Sequence, residues 1–293
     1  MNDLSASIAS VCAGASISSL GDATIEHAVC ALDRVLSLAV TRHDDPLVMR
    51  IDAALGGQSG ARMIEGIGPS RKFVPGVAVM TIAAAAALEL SAFAYSERVL
   101  SVIVPPAFVA AQLSDCDGEG LVLAVAFGCE VAYRVRLALG ESHERRGWDP
   151  VGTAGRLGAT CAVAIALGLN GMQIHDALGF ACTMAAGIRV AGDELRAFGA
   201  GKAAADALEA ATLAREGLIG PPEPIAGRRG FFALTAPAGD PNRILEGLGE
   251  RWHDFERLAP LSFGEDLADI VDEPNCQSLV EAFHVRIERE ISG

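Results

Sequence analysis

The sequence predicts an all-α protein, built as a large helical bundle. Three observations lead to this prediction: apolar residues recur at helical spacing along most of the chain, glycines follow these stretches, and no alternating strand pattern of useful length is present. Apolar residues make up 51% of the 293 residues but aromatic residues only 5%, because alanine dominates. Small side chains let helices approach closely, so tightly packed helices are expected rather than a β-sandwich.

The central helices are predicted from apolar runs that end at a glycine. Residues 121–139 stop before Gly140, residues 157–167 stop before Gly168, and residues 200–215 stop near Gly217. Runs that are apolar on most faces belong to helices buried on all sides, so at least two of these helices should lie at the centre of the bundle.

A capping box predicts the start of a further helix. Asn170 is followed three residues later by Gln173, the spacing at which each side chain satisfies the other residue's backbone N–H. The helix is expected over residues 172–188.

The remaining segments carry weaker signals. Residues 240–252 predict a short amphipathic helix, residues 261–274 a connector, and Asn275 the cap of a final helix. The best strand candidate, residues 99–104, ends in two prolines that should break either kind of element. Residues 1–293 are therefore expected to form a single helical domain.

Charge and cysteine usage exclude several classes of function. The net charge of -14 argues against binding to nucleic acid or to an anionic membrane surface. The seven cysteines are scattered without a CxxC pair, and the six histidines show no metal-ligand spacing. The longest apolar run, residues 77–88, is too short to cross a bilayer. We expect a soluble, cytoplasmic protein that acts on a small molecule.

One polar segment stands between two apolar helices. Residues 142–155 read SHERRGWDPVGTAG, with a histidine, two arginines, a tryptophan and three glycines close together. The segment is either an ordinary polar connection or a loop whose glycines bring backbone N–H groups close to an anionic ligand at the start of the next helix. The residues alone leave both interpretations open, and generic catalytic motifs are absent.

The chain resembles the MmgE/PrpD family. The resemblance is closest over residues 118–232, in the pieces GEGLVLAVAFGCEVAYRV, SHERRGWDPVGTAGRLGATCAVAIALGLN, ALGFACTMAAGIR, GKAAADALEAATLAREGLIGP and IAGRRGFF. The family includes 2-methylcitrate dehydratases and cis-aconitate decarboxylases. The resemblance implies a large helical domain, a second α/β lid domain, homodimers and no metal or organic cofactor. The implied chemistry moves a proton next to a substrate carboxylate.

The chain departs from the family pattern in length. The sequence expected to enter the α/β lid domain is missing after Trp252, and residues 261–274 would take its place. A lid excludes water and completes a site, so this chain is expected to have a more open pocket.

The resemblance also implies the site residues, most of them changed. The family's acidic run aligns with residues 86–93, and the histidine after it aligns with Val99. Asp149 replaces a histidine, Arg196 replaces a lysine, and Gly199 replaces the histidine three positions later. The expected catalytic residues are Glu89, Asp149 and Arg196. The expected substrate-binding residues are Arg145, Arg146, Trp148, Phe93, Val99 and Gly199.

These replacements favour one function and leave a second open. Arginine stays protonated, so Arg196 would bind a carboxylate but not move a proton. We expect a redirected lyase, isomerase or cyclase that acts on a mainly apolar carboxylate or carbonyl compound in a biosynthetic pathway, and not a 2-methylcitrate dehydratase. The alternative is a non-catalytic relative that binds a ligand or a full-length partner. Titratable replacements at the aligned positions favour the enzyme.

Overall fold

The fold is a bundle of helices, as a computed structural model describes it for residues 3–56, 64–65, 72–189 and 192–252. The helices run in chain order as α1 (Leu4–Ala13), α2 (Asp22–Thr41), α3 (Pro46–Leu55), α4 (Pro75–Leu90), α5 (Tyr95–Arg98), α6 (Leu100–Gln112), α7 (Gly118–Leu139), α8 (Glu141–Arg145), α9 (Ala154–Ala166), α10 (Gly171–Met184), α11 (Asp193–Arg215) and α12 (Phe231–Thr235). Short 3₁₀ turns occupy Ile17–Ser19 and Pro241–Leu245.

The all-α prediction is confirmed. Among the described residues the strands are two residues long: β1 (Ile64–Glu65) pairs antiparallel with β2 (Lys72–Phe73). Ile64 lies opposite Phe73 and Glu65 opposite Lys72.

Helices α7 and α9 form the centre of the bundle, α6 and α11 pack against this pair, and α4 packs on the outside against α11 and α6. The backbones of α7 and α9 approach closely because glycines face each other at the crossing. A β-carbon added to Gly158 would lie 2.6 Å from Cβ of Ala132, and one added to Gly128 would lie 2.8 Å from Cβ of Ala162. The small residues in the sequence thus allow α7 and α9 to pack closely against each other.

The predicted helix ends follow local signals. The capping box is present at α10: Oδ1 of Asn170 accepts from the N–H groups of Met172 (3.0 Å) and Gln173 (3.1 Å), and Oε1 of Gln173 accepts from the N–H of Asn170 (3.1 Å). Gly140 and Gly168 follow α7 and α9 with φ of 68° and 65°, a conformation that favours glycine.

Helix α10 ends earlier than the sequence predicts. It stops at Met184 rather than at residue 188 because the chain then pairs with the polar segment before α9. The N–H of Asp149 donates to the carbonyl of Gly187 (2.8 Å), and the N–H of Arg189 donates to the carbonyl of Gly147 (2.7 Å).

Two local predictions are wrong. Residues 99–104 are not a strand, because Val99 caps α6 and Pro105 and Pro106 lie inside this buried helix. Tertiary packing on α4, α9 and α11 overrides the local cost of proline. The helix predicted over residues 240–252 is the 3₁₀ turn Pro241–Leu245, and the chain then turns through Gly247 and Gly249, whose φ values are 78° and 84°.

The connector predicted at 261–274 and the helix predicted after Asn275 lie outside the described residues. Within the described ranges, no helix combines the length and the apolar character needed to cross a bilayer.

A buried ion pair links two helices of the core. Nη2 of Arg156 on α9 lies 3.0 Å from Oδ2 of Asp206 on α11, and the two side chains are 2% and 6% exposed. Nη1 of Arg156 also donates to the carbonyl of Met184, at the end of α10. This arginine therefore joins three helices, and burial lowers its pKa while the charge of Asp206 raises it.

Candidate active site

The polar segment between α8 and α9 is held by a buried histidine. Nδ1 of His143 lies 3.2 Å from the carbonyl oxygen of Thr235, and Nε2 lies 2.8 Å from Oγ1 of Thr153. Oγ1 of Thr153 also donates to the carbonyl oxygen of Asp149 at 2.9 Å. The carbonyl of Thr235 can only accept, so Nδ1 of His143 carries the proton of the neutral ring. Burial lowers the pKa of His143, which favours that neutral form.

His143 also orients the next part of the segment. Its ring stacks on Trp148 with the ring centroids 6.0 Å apart and the planes inclined by 14°. Together with the pairing to residues 187–189, this contact places Trp148 and Asp149 on a firmly held stretch of backbone.

Asp149 and Arg196 line the same small cleft, which we call the charged cleft. Arg98 is the third charged residue in its wall, and the other lining residues are Ala87, Leu90, Ser91, Ser101, Val151 and Ala200. The cleft has a volume of about 20 Å³, room for roughly one water molecule. It is formed where the ends of α4 and α5 meet α11 and the segment before α9.

The Asp149 carboxylate is held by two donors. Oδ1 accepts from Nη2 of Arg98 at 3.3 Å and from the N–H of Val151 at 3.2 Å, and the side chain is 19% exposed. The two guanidinium groups and one carboxylate in the wall give the charged cleft a formal charge of +1.

Arg196 stands at the open side of the charged cleft, with its side chain 40% exposed. It pairs with Asp193 one turn earlier on α11, and Oγ of Ser91 lies 3.4 Å from Oδ1 of the same aspartate. The hydrogen bond from Arg196, and then its charge, lower the pKa of Asp193.

Glu89 and Phe93 lie outside the wall of the charged cleft. Nε of Arg42, the residue that follows α2, donates to Oε1 of Glu89 at 2.6 Å, so the Glu89 carboxylate is bound away from the charged cleft. The ring of Phe93 is covered by Arg34, whose guanidinium carbon lies 5.0 Å from the ring centroid.

The other expected substrate-binding residues are also outside that wall. Arg145 is 72% exposed and pairs with Glu141 at 3.1 Å, and Arg146 is exposed. Val99 is fully buried, and Gly199 lies on the exposed face of α11, where an added β-carbon would meet open space.

Trp148 faces a different cavity from its neighbour Asp149. Its side chain lines a larger pocket with Phe231, Leu234 and Thr235. The structure thus divides the two neighbouring residues of this segment between two cavities.

Arg98 is the site residue that sequence reasoning missed. It ends the short helix α5 and meets Asp149 across 51 positions of sequence. No motif surrounds it, so the sequence contained no signal that would have found it. Within the described residues, no three His, Cys, Asp or Glu side chains are grouped as metal ligands would be.

The fold and site thus define an all-α domain with a cationic cleft beside a glycine-rich segment. A family model for the MmgE/PrpD N-terminal domain matches residues 6–244, and the chain belongs to this family. A cis-aconitate decarboxylase from Aspergillus terreus is 29% identical over 208 residues, covering 64% of this chain and 42% of that protein. The same figures hold for the cis-aconitate decarboxylase of Aspergillus terreus strain NIH 2624 / FGSC A1156. This chain thus spans less than half the length of these relatives. Both relatives are decarboxylases, a class of lyase.

Proposed function

We propose that the charged cleft is the active site of a lyase-type enzyme acting on a mainly apolar carboxylate or carbonyl compound. The observation that carries this proposal is that Asp149 and Arg196, 47 positions apart in sequence, line one cleft together with Arg98. An acid–base group beside two fixed cations is the arrangement needed to move a proton next to a carboxylate.

The charge of the cleft limits the substrate. The wall has a formal charge of +1, and Asp193 outside the wall pairs with Arg196, so the cleft offers at most one guanidinium to a substrate carboxylate, whereas a citrate-like acid brings three negative charges. The volume of about 20 Å³ admits a small polar group, so the rest of the substrate would lie outside the cleft or widen it.

Each charged residue would then have a separate role. Arg196 would bind the substrate carboxylate or the oxygen of an enolate, because a guanidinium presents paired N–H donors and keeps its proton. Asp149 would accept the proton from the adjacent carbon, and Arg98 would fix its orientation. Phe93, Val99 and Gly199 would influence the substrate only through the shape of the surrounding protein.

The same replacements predict that the chain does not catalyse 2-methylcitrate dehydration or cis-aconitate decarboxylation. Val99, Asp149 and Gly199 stand where the resemblance implies histidines, and general acid–base catalysis contributes about 10²–10⁴-fold per group. Incubation with each acid followed by mass spectrometry tests this expectation. Turnover on the order of one per second, a typical enzyme rate, would overturn it.

Ligand binding is tested by a thermal-shift titration with hexanoate and 2-oxohexanoate against citrate and cis-aconitate. We expect the monocarboxylates to bind more tightly and Arg196→Ala to weaken their binding about tenfold or more, as expected for the loss of a charged hydrogen bond. Arg145→Ala removes an equal charge outside the cleft and should leave binding unchanged. Tighter binding of citrate, or equal effects of the two variants, would contradict the proposal.

The second candidate is a non-catalytic relative that binds a ligand or a full-length partner. It is favoured by the engagement of the Asp149 carboxylate with Arg98 and with the Val151 N–H. Asp149→Asn separates the two functions: it should abolish turnover of a substrate identified by product analysis if the chain is an enzyme. In a binding protein the variant changes affinity alone.

A further inference from the structure

A second cavity lies on the other side of Trp148, and its features point to a ligand. We call it the GRRG pocket, after residues 227–230 in its wall; its volume is about 640 Å³. This volume falls in the range of about 300–1,000 Å³ that is typical of small-molecule sites. The apolar part of its wall includes Trp148, Pro222, Phe231 and Leu234.

A tight turn between two glycines carries the two arginines of the pocket. The N–H of Gly230 donates to the carbonyl of Gly227 at 2.8 Å, which closes a turn around Arg228 and Arg229. A β-carbon on Gly230 would lie 2.8 Å from the carbonyl oxygen of Pro224, so a larger residue does not fit there. The two arginines are therefore held at the tip of a tight turn, and both are exposed.

The acidic residue in this wall already has its partners. Oε2 of Glu223 accepts from the N–H of Leu4 at 2.7 Å, and Oε1 accepts from Oγ of Ser5 at 2.6 Å and from the N–H of Ala226 at 2.9 Å. Burial raises the pKa of Glu223, but these hydrogen bonds outweigh burial and lower it overall. The carboxylate is therefore charged and occupied.

The arginines, in contrast, have no such partner among the described residues. In the part of the chain that the structure describes, neither Arg228 nor Arg229 makes a side-chain hydrogen bond or an ion pair. Two guanidinium groups and one carboxylate give the wall a formal charge of +1. The apolar wall next to them includes Leu234, which is 65% exposed. An apolar surface beside an unbalanced cation fits a ligand that has both an apolar body and a negative charge.

We propose that the GRRG pocket binds a small amphipathic anion, with an aromatic or branched apolar body against Trp148, Phe231 and Leu234 and one carboxylate facing Arg228 and Arg229. This inference does not rest on the proposed function, because Asp149, Arg98 and Arg196 are not in the wall of this pocket.

Trp148 provides the readout. The chain has two tryptophans, so Trp252→Phe leaves Trp148 as the only one. The ring of Trp252 packs against Phe127, with the ring centroids 4.9 Å apart. This variant is titrated with 4-phenylbutanoate and with the neutral 4-phenylbutanol. We expect a saturable change in Trp148 emission, with the alcohol binding about tenfold or more weakly because it lacks the charge-assisted contact.

A double substitution tests the role of the arginines. Arg228→Gln/Arg229→Gln should weaken carboxylate binding about tenfold or more and leave binding of the alcohol unchanged. The matched control, Arg50→Gln/Arg243→Gln, removes two arginines outside the pocket wall and should bind like the parent protein. Arg196→Ala should also leave the Trp148 signal unchanged, which separates this pocket from the charged cleft.

The proposal is overturned if Trp148 emission does not respond to the carboxylate, if the alcohol binds equally well, or if both double variants lose binding to the same extent. Calorimetric titration of the wild-type protein with the same two compounds gives an independent comparison should Trp252→Phe fail to fold.

Discussion

Asp206→Ala is expected to destabilise the protein strongly, because it leaves the charge of Arg156 buried without its partner. The side chains of the pair are 2% and 6% exposed, and the charged atoms are 3.0 Å apart. At that distance, and with an effective dielectric constant of about 20, the attraction between two unit charges is roughly 5 kcal/mol. Loss of one partner from a buried pair generally costs about 3–5 kcal/mol.

Thermal unfolding followed by circular dichroism measures this effect. For a chain of 293 residues, a loss of about 3–5 kcal/mol corresponds to a decrease in Tm of roughly 5–8 °C. Glu141→Ala is the matched control, because it breaks an exposed pair with Arg145 at a similar distance of 3.1 Å. Exposed pairs contribute about 0–1 kcal/mol, so Tm should change by a few degrees at most.

A compensating double variant separates lost charge balance from lost packing. Arg156→Met/Asp206→Leu removes both charges, and apolar replacement of a buried pair is often neutral or stabilising. It should therefore restore much of the stability that Asp206→Ala loses. If Asp206→Ala and Glu141→Ala unfold at the same temperature, or if the double variant is no more stable than Asp206→Ala, the reasoning from burial is refuted.

Three further predictions concern packing, pH and assembly. Gly158→Ala should lower the midpoint of urea unfolding, because its β-carbon would lie 2.6 Å from that of Ala132, whereas Gly199→Ala meets open space and should raise stability by about 0.5–1 kcal/mol. The pKa of His143 is lower in the folded state than in the unfolded state, so the unfolded chain binds more protons in mild acid. The free energy of unfolding should therefore fall as the pH drops below about 6.5, and His143→Gln should make this dependence on pH less steep. We also propose that the protein is a homodimer, and a monomer mass by light scattering at tens of micromolar protein would contradict it.

The fold was largely predictable because its helix ends depend on neighbouring residues. The capping box at Asn170 and the glycine after α7 act within one turn of the chain, so the sequence pattern carries them in full. Helix α6 was not predictable, since Pro105 and Pro106 oppose a helix locally and are tolerated because the surrounding helices bury the whole segment. The early end of α10 likewise depends on a distant partner, the segment around Gly147.

The candidate site was predicted in part, for the same reason. The resemblance indicated Asp149 and Arg196, which do share a cleft. Arg98 reaches Asp149 from 51 positions away, and Glu89 is engaged by Arg42 from 47 positions away. Contacts over such separations are set by the packing of whole helices, which periodicity and motifs do not specify.

The placement of Trp148 and Asp149 in two cavities has a consequence for the length of the chain before them. Successive side chains of an extended segment point in opposite directions, so the phase of the alternation decides which residue faces which cavity. Deleting one residue between α8 and Trp148, with the pairing to residues 187–189 kept, would put Asp149 in the place of Trp148 and Pro150 in the place of Asp149. The residue count of this segment thus determines the chemistry of both cavities, even if every side chain in it is retained.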